Sequence, residues 1–322
     1  MASLLLIDLL FIAQTMKRLF RFKLATLLIV MTLLALVFGT LVYRANKQRK
    51  VVEALRAFNL IVSYDYSDGY ITQNGPIHSK RSPAPEWLRK SFGDDLFHSV
   101  IGISRGDNVT VTDSDMVHLE GLDKLLFLHI YNNEIGDDGL KHISQLKKLI
   151  SLNLRDNRIT DEGLRHLSNL SNLEILILGQ NKIEGAGLRH LKNLTNMRSL
   201  ELSDNNLSGD GLEHLGDMKK LYHLFLYENP LTDEGIVHIP ELTKLAYLGL
   251  SHSSLSDKGS QVILKFPELE YLSIGDTTIS DESIGILSQV ISLKKLEIYS
   301  TRITKKGVAE LKAALPNCKI TY

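Results

Sequence analysis

Apolar residues organise this chain on two scales. Residues 24–43, LATLLIVMTLLALVFGTLVY, form one uncharged run. Further along, apolar positions recur every 24 residues, in eight units that begin at Leu125, Leu149, Leu173, Met197, Leu221, Leu245, Leu269 and Leu293. The second unit, LISLNLRDNRITDEGLRHLSNLSN, shows the rule. Leu149, Leu152 and Leu154 end in the period-two alternation of a strand, with Leu152 and Leu154 facing inward. Ile159 is a further buried position. Thr160-Asp161 reads as an N-cap opening a short helix whose inner stripe is Leu164, Leu167 and Leu170.

One such unit can bury neither its strand nor its helix, whereas a stack of them shares one continuous core. Helices pack about 8–10 Å apart and strands about 4.8 Å apart, so the stack must curve with its sheet on the concave side. The expected fold is an α/β solenoid with a concave parallel sheet and convex short helices. Asn157 follows the strand and stands in register with Asn133, Asn181, Asn205 and Asn229. A buried amide there can donate to and accept from neighbouring turns, so the column is expected to form a structural ladder. Ser253, Thr277 and Thr301 replace it in the last three units, with less hydrogen-bonding capacity.

The spacing L-x-x-L-x-L-x-x-N (Leu149, Leu152, Leu154, Asn157) followed by I-T-D-x-G-L-x-x-L (Ile159 to Leu167) resembles the leucine-rich repeat. The 24-residue form with T-D-x-G-L is similar to that of bacterial leucine-rich-repeat proteins, many of them carried behind a single N-terminal anchor. The resemblance covers residues 123–316 and implies a right-handed horseshoe that binds a protein or peptide ligand. Residues 96–122 look like an irregular N-terminal capping unit. In it Val111-Thr112-Asp113 lies two repeat lengths before Ile159-Thr160-Asp161, and the strand VIGIS (100–104) is displaced from the repeat register. Residues 317–322 look like a C-terminal capping strand. The repeat also resembles the cysteine-containing variety of F-box substrate adaptors, which would imply an intracellular adaptor. The chain departs from that pattern, having no F-box-like helical segment and a single cysteine, Cys318.

At 1.5 Å per residue, the apolar run at 24–43 reaches about 30 Å, the thickness of the hydrocarbon core, and reads as a transmembrane helix. A cleaved signal peptide, the alternative, wants a shorter apolar core and small residues at its exit; here the exit reads VFGTLVYRA. Lys17, Arg18, Arg21 and Lys23 flank one end, and Arg44, Lys47, Arg49 and Lys50 the other, leaving the positive-inside rule balanced. A short basic tail (residues 1–23) is difficult to translocate, which favours repeats on the extracytoplasmic side. Residues 1–15 hold an apolar run too short to span and broken by Asp8, and translation starting at Met16 would remove it. Residues 44–95 read as juxtamembrane helix, strand and linker. Val51, Leu55 and Phe58 form a helical stripe, and Leu60, Val62, Tyr64 and Tyr66 one strand face. Asp65, His78 and Asp94 have no motif spacing and read as surface residues.

Charge is uneven. Residues 1–56 carry nine Lys/Arg against Asp8 and Glu53, or +7, so in a chain of zero net charge the remainder carries −7. A negative repeat region is a poor partner for nucleic acid, whose phosphates must be neutralised. No phosphate loop, nucleophile motif or paired catalytic carboxylates occur, so neither an enzyme nor a cofactor is expected. Six histidines (His118, His142, His166, His190, His214 and His238) recur at the repeat interval, two of them in the form GLRHL and three in looser copies of it. Two zinc ligands must approach within roughly 4 Å, closer than adjacent helices come, so the column reads as inherited packing. Function is expected on the strand positions that point away from the core. There stand Phe127, His129, Tyr131, Arg155, His223, Phe225, Tyr227, Tyr247, Tyr271 and Tyr299, including five of the chain's eleven tyrosines.

Overall fold

A computed structural model describes residues 2–65, 71–72, 75–76, 86–93, 95, 98–108 and 110–322. Tyr66, His78, Asp94 and most of the expected linker lie outside these residues. The chain forms two compact units: Met1–Lys50 with Ala84–His98, and Val51–Pro83 with Ser99–Tyr322.

The first unit holds most of helix α1 (Ala2–Ala57) and the short helix α2 (Glu86–Phe92). The stretch Lys23–Ala57 of α1 is long and apolar enough to cross a membrane. Its leucines from Leu24 to Leu41 are bare: Leu28 is 59% and Leu36 62% exposed. The Gln48 side chain donates to Asp95 Oδ1 at 3.1 Å and to the His98 carbonyl at 2.9 Å.

In the second unit, Val52 and Leu55, on the last turns of α1, belong to the same core as the repeat leucines. Strand β1 (Ile61–Tyr64) follows, then a small antiparallel pair, β2 (Ile71–Thr72) and β3 (Gly75–Pro76). β1 runs antiparallel to β4 (Val100–Ser104). This strand, expected to lie between membrane and repeats, is therefore the edge of the repeat sheet. From β4 onward every pairing is parallel: β5 (Phe127–His129), β6 (Ser151–Asn153), β7 (Ile175–Ile177), β8 (Ser199–Glu201), β9 (His223–Phe225), β10 (Tyr247–Gly249), β11 (Tyr271–Ser273), β12 (Lys295–Glu297) and β13 (Lys319–Thr321). The register advances by one full repeat at each pairing from β5 to β13, so each strand position faces its own repeat homologue. Leu128, Leu152, Leu176, Leu200, Leu224, Leu248, Leu272 and Leu296 stack inward with no exposure.

The convex segments are mostly narrower than α-helices. Gly163–Leu167, Ala186–Leu191, Leu212–Asp217 and Gly259–Lys265 are 3₁₀ turns, whereas Asp137–Ile143 and Lys305–Ala314 are α-helical. A 3₁₀ turn rises about 2.0 Å per residue, so it covers the convex side with fewer residues than an α-helix.

Two hydrogen-bonded columns tie the units together. Asn205 Oδ1 accepts from Ile183 N in the preceding unit at 3.0 Å, while its amide donates to the carbonyls of Leu178 (3.1 Å) and Leu202 (3.0 Å). Asn157, Asn181 and Asn229 bond the same way, and Asn133 accepts from Val111 N at 2.7 Å. Ser253, Thr277 and Thr301 each donate at 2.7 Å to a carbonyl in their own turn, those of Leu250, Ile274 and Ile298.

The second column is aspartate. Asp137 accepts from Thr160 N (2.9 Å) and Thr160 Oγ1 (2.6 Å), Asp257 from Ser280 N (2.8 Å), and Asp281 from Thr304 N (2.8 Å). The Asp161 carboxylate likewise reaches Gly185 N (3.1 Å) and Gly187 N (2.9 Å). This corrects the expected role of Thr160-Asp161. Thr160 caps its own segment weakly, accepting from Glu162 N at 3.3 Å, while the aspartate caps the next unit. The glycine of T-D-x-G-L follows from this: a Cβ at Gly163 would collide with the Asp137 carboxylate, and one at Gly259 with that of Asp233. In the seventh unit Ser283 stands there instead and its hydroxyl donates to Asp257.

Replacing Asn205 by Ala leaves Ile183 N unpaired in a buried site, at about 1–3 kcal/mol for the orphaned donor. It also removes the amide's bonds to the Leu178 and Leu202 carbonyls, of which Leu178 O keeps its bond from Asn181. Thr277→Ala leaves one carbonyl and should cost less. Urea unfolding of both variants checks this, and equal midpoints would show that the amide column adds nothing beyond the hydroxyls.

Candidate binding surface

The face of the sheet opposite the core carries the variable side chains. Each strand from β5 to β12 is followed, shortly beyond its end, by a left-handed residue: Asn132, Asp156, Gln180, Asp204, Glu228, His252, Asp276 and Ser300, with φ between 51° and 59°. Asn and Asp tolerate this region better than most residues, yet Glu228 and Gln180 also adopt it, so the stacked turn imposes it. These polar residues form the rim of the sheet face.

Aromatic rings collect on β9 to β11. His223 lies 4.6 Å from Tyr247 and 6.0 Å from Phe225, centroid to centroid, and Tyr247 lies 5.7 Å from Tyr271. Phe225 and Tyr227 stack at 5.6 Å with 14° between their planes. Tyr222, whose side chain was not among the expected contacts, extends the patch to Tyr247 at 5.5 Å and is 38% exposed. It occupies the residue before the strand, and a search restricted to outward strand positions passes over it. Two rings lie on glycine: a Cβ at Gly249 would collide with the Tyr227 ring, and one at Gly275 with the Tyr299 ring.

Beside the patch is a hollow of about 380 Å³ whose walls include Arg155, Glu201, Ser203, Phe225, Tyr227, Tyr271, Glu297 and Tyr299. Tyr271 donates its hydroxyl to Glu297 Oε2 at 2.7 Å, Ser273 donates to the same oxygen at 2.9 Å, and Lys295 lies 2.7 Å from Glu297 Oε1. Burial alone would raise the Glu297 carboxyl. Lys295 and the two hydroxyls outweigh it and hold the group below its ordinary value. Burial, then the bond from Tyr227 to Tyr271, raises the Tyr227 phenol, so it stays a neutral donor. Glu201 accepts from Gly179 N (3.0 Å) and Ser203 N (2.9 Å) and lies 3.8 Å from Arg155.

The structure brings together only part of the expected set. His223, Phe225, Tyr227, Tyr247 and Tyr271 form the patch, and Arg155 and Tyr299 join Tyr227 and Tyr271 at the hollow. Phe127 and Tyr131 stand four strands away from β9, roughly 19 Å at 4.8 Å per strand. Tyr131 lies under the Arg105 guanidinium at 5.7 Å. His129 is a correction: it is 4% exposed and offers no ligand contact. It is in register with Ser104 and Asn153 on the neighbouring strands, and its ring lies back against β6 instead of standing off the sheet. Its Nε2 lies 2.9 Å from Ser151 Oγ, and its Nδ1 has no partner among the described residues. The repeat histidines lie on the convex side, where His142 Nδ1 is 2.7 Å from Glu120. Among the described residues no group of three His, Cys, Asp or Glu is placed to hold a metal ion.

A stack of in-register strands closed by short convex turns defines a leucine-rich-repeat scaffold. Residues 117–319 match the family model described as a leucine-rich repeat region, and the chain belongs to that family. Among solved structures, a leucine-rich-repeat protein of Leptospira interrogans is 24% identical with a TM-score of 0.51, the match covering 66% of this chain and 57% of that one. The match thus spans little more than half of the Leptospira protein. Internalin C2 of Listeria monocytogenes is 24% identical with a TM-score of 0.50, over 66% of this chain and 84% of its own. No curated protein matches the chain.

Burial lowers the pKa of both His129 and His223, so the folded state resists protonation that the unfolded chain accepts near pH 6.5. Their contribution to stability is complete above that pH and is lost as pH falls towards the folded values. His223 is thereby kept neutral at pH 7. The melting temperature should drop between about pH 6.5 and 5, above the carboxylate range, and less steeply in His129→Gln/His223→Gln. An unchanged pH slope in that variant would assign the acid sensitivity elsewhere.

Proposed function

We propose that this protein is a membrane-anchored scaffold that recognises a protein or peptide on its concave sheet, with the repeats outside the cytoplasm. The observation that carries the reading is the half-exposed aromatic patch on β9–β11, continuous with the hollow through Phe225, Tyr227 and Tyr271. None of these rings is needed to fill the leucine core, and aromatic clusters beside a concavity are where binding energy concentrates. The anchor rests on α1: apolar side chains along 24–43 are exposed, and lipid is the solvent that suits them. The boundaries read from the sequence, with the anchor at 24–43, the N-terminal cap at 96–122, the repeats at 123–316 and the C-terminal cap at 317–322, are part of this proposal.

The patch is tested with Phe225→Ala/Tyr247→Ala in the full chain. Circular dichroism should stay unchanged, while binding to partners trapped by a photo-crosslinking residue at position 271 should fall at least about thirtyfold, roughly 2 kcal/mol or more. Lys219→Ala/Lys220→Ala, at exposed positions before β9, serves as control. Loss of the crosslink in the control but not in the aromatic variant would move the interface off this face.

The anchor is tested by alkaline carbonate extraction, which should leave the chain with membranes. A reporter fused after Tyr322 should be active only outside the cytoplasm, and a soluble, shortened chain would mean cleavage.

A further inference from the structure

The hollow has a chemical signature of its own. Its walls hold four carboxylates, Glu201, Asp204, Glu228 and Glu297, against one guanidinium, Arg155, and one imidazole, His252. That imidazole is already engaged, its Nδ1 2.6 Å from Asp276. Arg155 lies 3.8 Å from Glu201 while its Nε donates to Gln180 at 2.9 Å, and Lys295 lies 2.7 Å from Glu297, so Glu201 and Glu297 already have cationic partners. Asp204 and Glu228 are exposed on the rim and have no ion-pair partner among the described residues. An adjoining hollow of about 480 Å³ is lined by the same two carboxylates and Asp276, extending the negative surface.

Four rings, Phe225, Tyr227, Tyr271 and Tyr299, make up the remaining walls. Aromatic faces attract cations through their quadrupole, and more strongly where water is displaced. Lys295 already illustrates this, with Nζ 5.1 Å from the Tyr271 ring centroid. Ser203 supplies an independent observation. It lines the hollow, is only 6% exposed, and its Oγ has no hydrogen-bond partner among the described residues. A buried hydroxyl without a partner carries a desolvation cost that a ligand donor removes.

We propose that this hollow seats the guanidinium of an arginine side chain presented by the partner protein. This rests on the concave-face reading above and names the chemistry recognised there. A guanidinium is planar and weakly hydrated, stacks on rings, and carries five donors in a fork that matches carboxylates. It would donate to the rim carboxylates while lying against the tyrosine rings, and to the Ser203 hydroxyl once a χ1 rotation turns that covered oxygen to the hollow. An anionic group is repelled by the unpaired carboxylates of Asp204 and Glu228, and an aliphatic one leaves them without a counter-charge and Ser203 without a partner.

The test uses the full chain in lipid nanodiscs and fluorescein-labelled pentapeptides, acetylated and amidated, with Arg, Lys, citrulline, norleucine or Glu flanked by glycines. Citrulline keeps the shape of arginine without its charge. The Arg peptide should bind with half-saturation below about 10 mM, at least about tenfold better than citrulline, and more weakly as salt rises. Asp204→Asn/Glu228→Gln, which alters only exposed rim groups, should lose that preference, and Ser203→Ala should lower Arg affinity about tenfold. Equal binding of Arg and citrulline, a preference for norleucine or Glu, or no binding at all overturns the guanidinium assignment. If partner crosslinking at the aromatic patch persists in any of those cases, the concave-face reading stands without it. If both fail, the face itself is wrong.

Discussion

The whole repeat region depends on one constraint: every turn must have the same length, so that backbone groups and side chains meet their homologues one turn on. The strands from β5 onward are very short, too short to hold a sheet unaided. The Asn column adds bonds near the concave edge, and the Asp column does the same at the start of each convex segment. Both join a side chain of one unit to backbone of the unit before or after it, so neither exists within an isolated turn. Stability is therefore a property of neighbours, as expected of a quasi-one-dimensional fold.

That constraint also accounts for departures from the consensus. In the third and fourth units Gly185 and Gly209 replace the column aspartate and adopt φ of 123° and 119°. A Cβ at Gly185 would collide with the carbonyl of Asp210, and one at Gly209 with the backbone of Gly235. Close backbone contact there takes the place of the carboxylate bridge. The histidine column has no comparable role, since its members have different partners or sit at the surface. A residue can be periodic because the unit was duplicated, without the period meaning anything to its side chain.

Freedom remains where the constraint is weakest, on the sheet face opposite the core. Outward positions on β5 and β6 became small or buried, as at Ser151 and His129, while those on β9 to β12 became aromatic and acidic. Parallel pairing in register brings rings on neighbouring strands, such as His223 and Tyr247, to 4.6 Å of each other, with a hollow beside them. Glycine at positions 249 and 275 lets two of the rings lie flat on the backbone.

The repeat itself was determined locally, because an inward leucine at the same place in every unit has one efficient burial and the Asn column reports its own spacing. The solenoid, the inward stripe and the apolar helix were therefore legible in the chain alone, as was the set of aromatic positions. The Asp column was legible in principle: Asp113, Asp137, Asp161, Asp233, Asp257 and Asp281 share one register, yet each resembles an ordinary N-cap until the neighbouring turn is in place. Tertiary structure alone decided that β1 closes the sheet edge, that His129 is buried, and that Tyr222 joins the patch. It alone assembled a hollow from side chains as distant in the chain as Arg155 and Tyr299. Exposure, convergence and an unpartnered hydroxyl are relations between turns, and a pattern within one turn does not contain them.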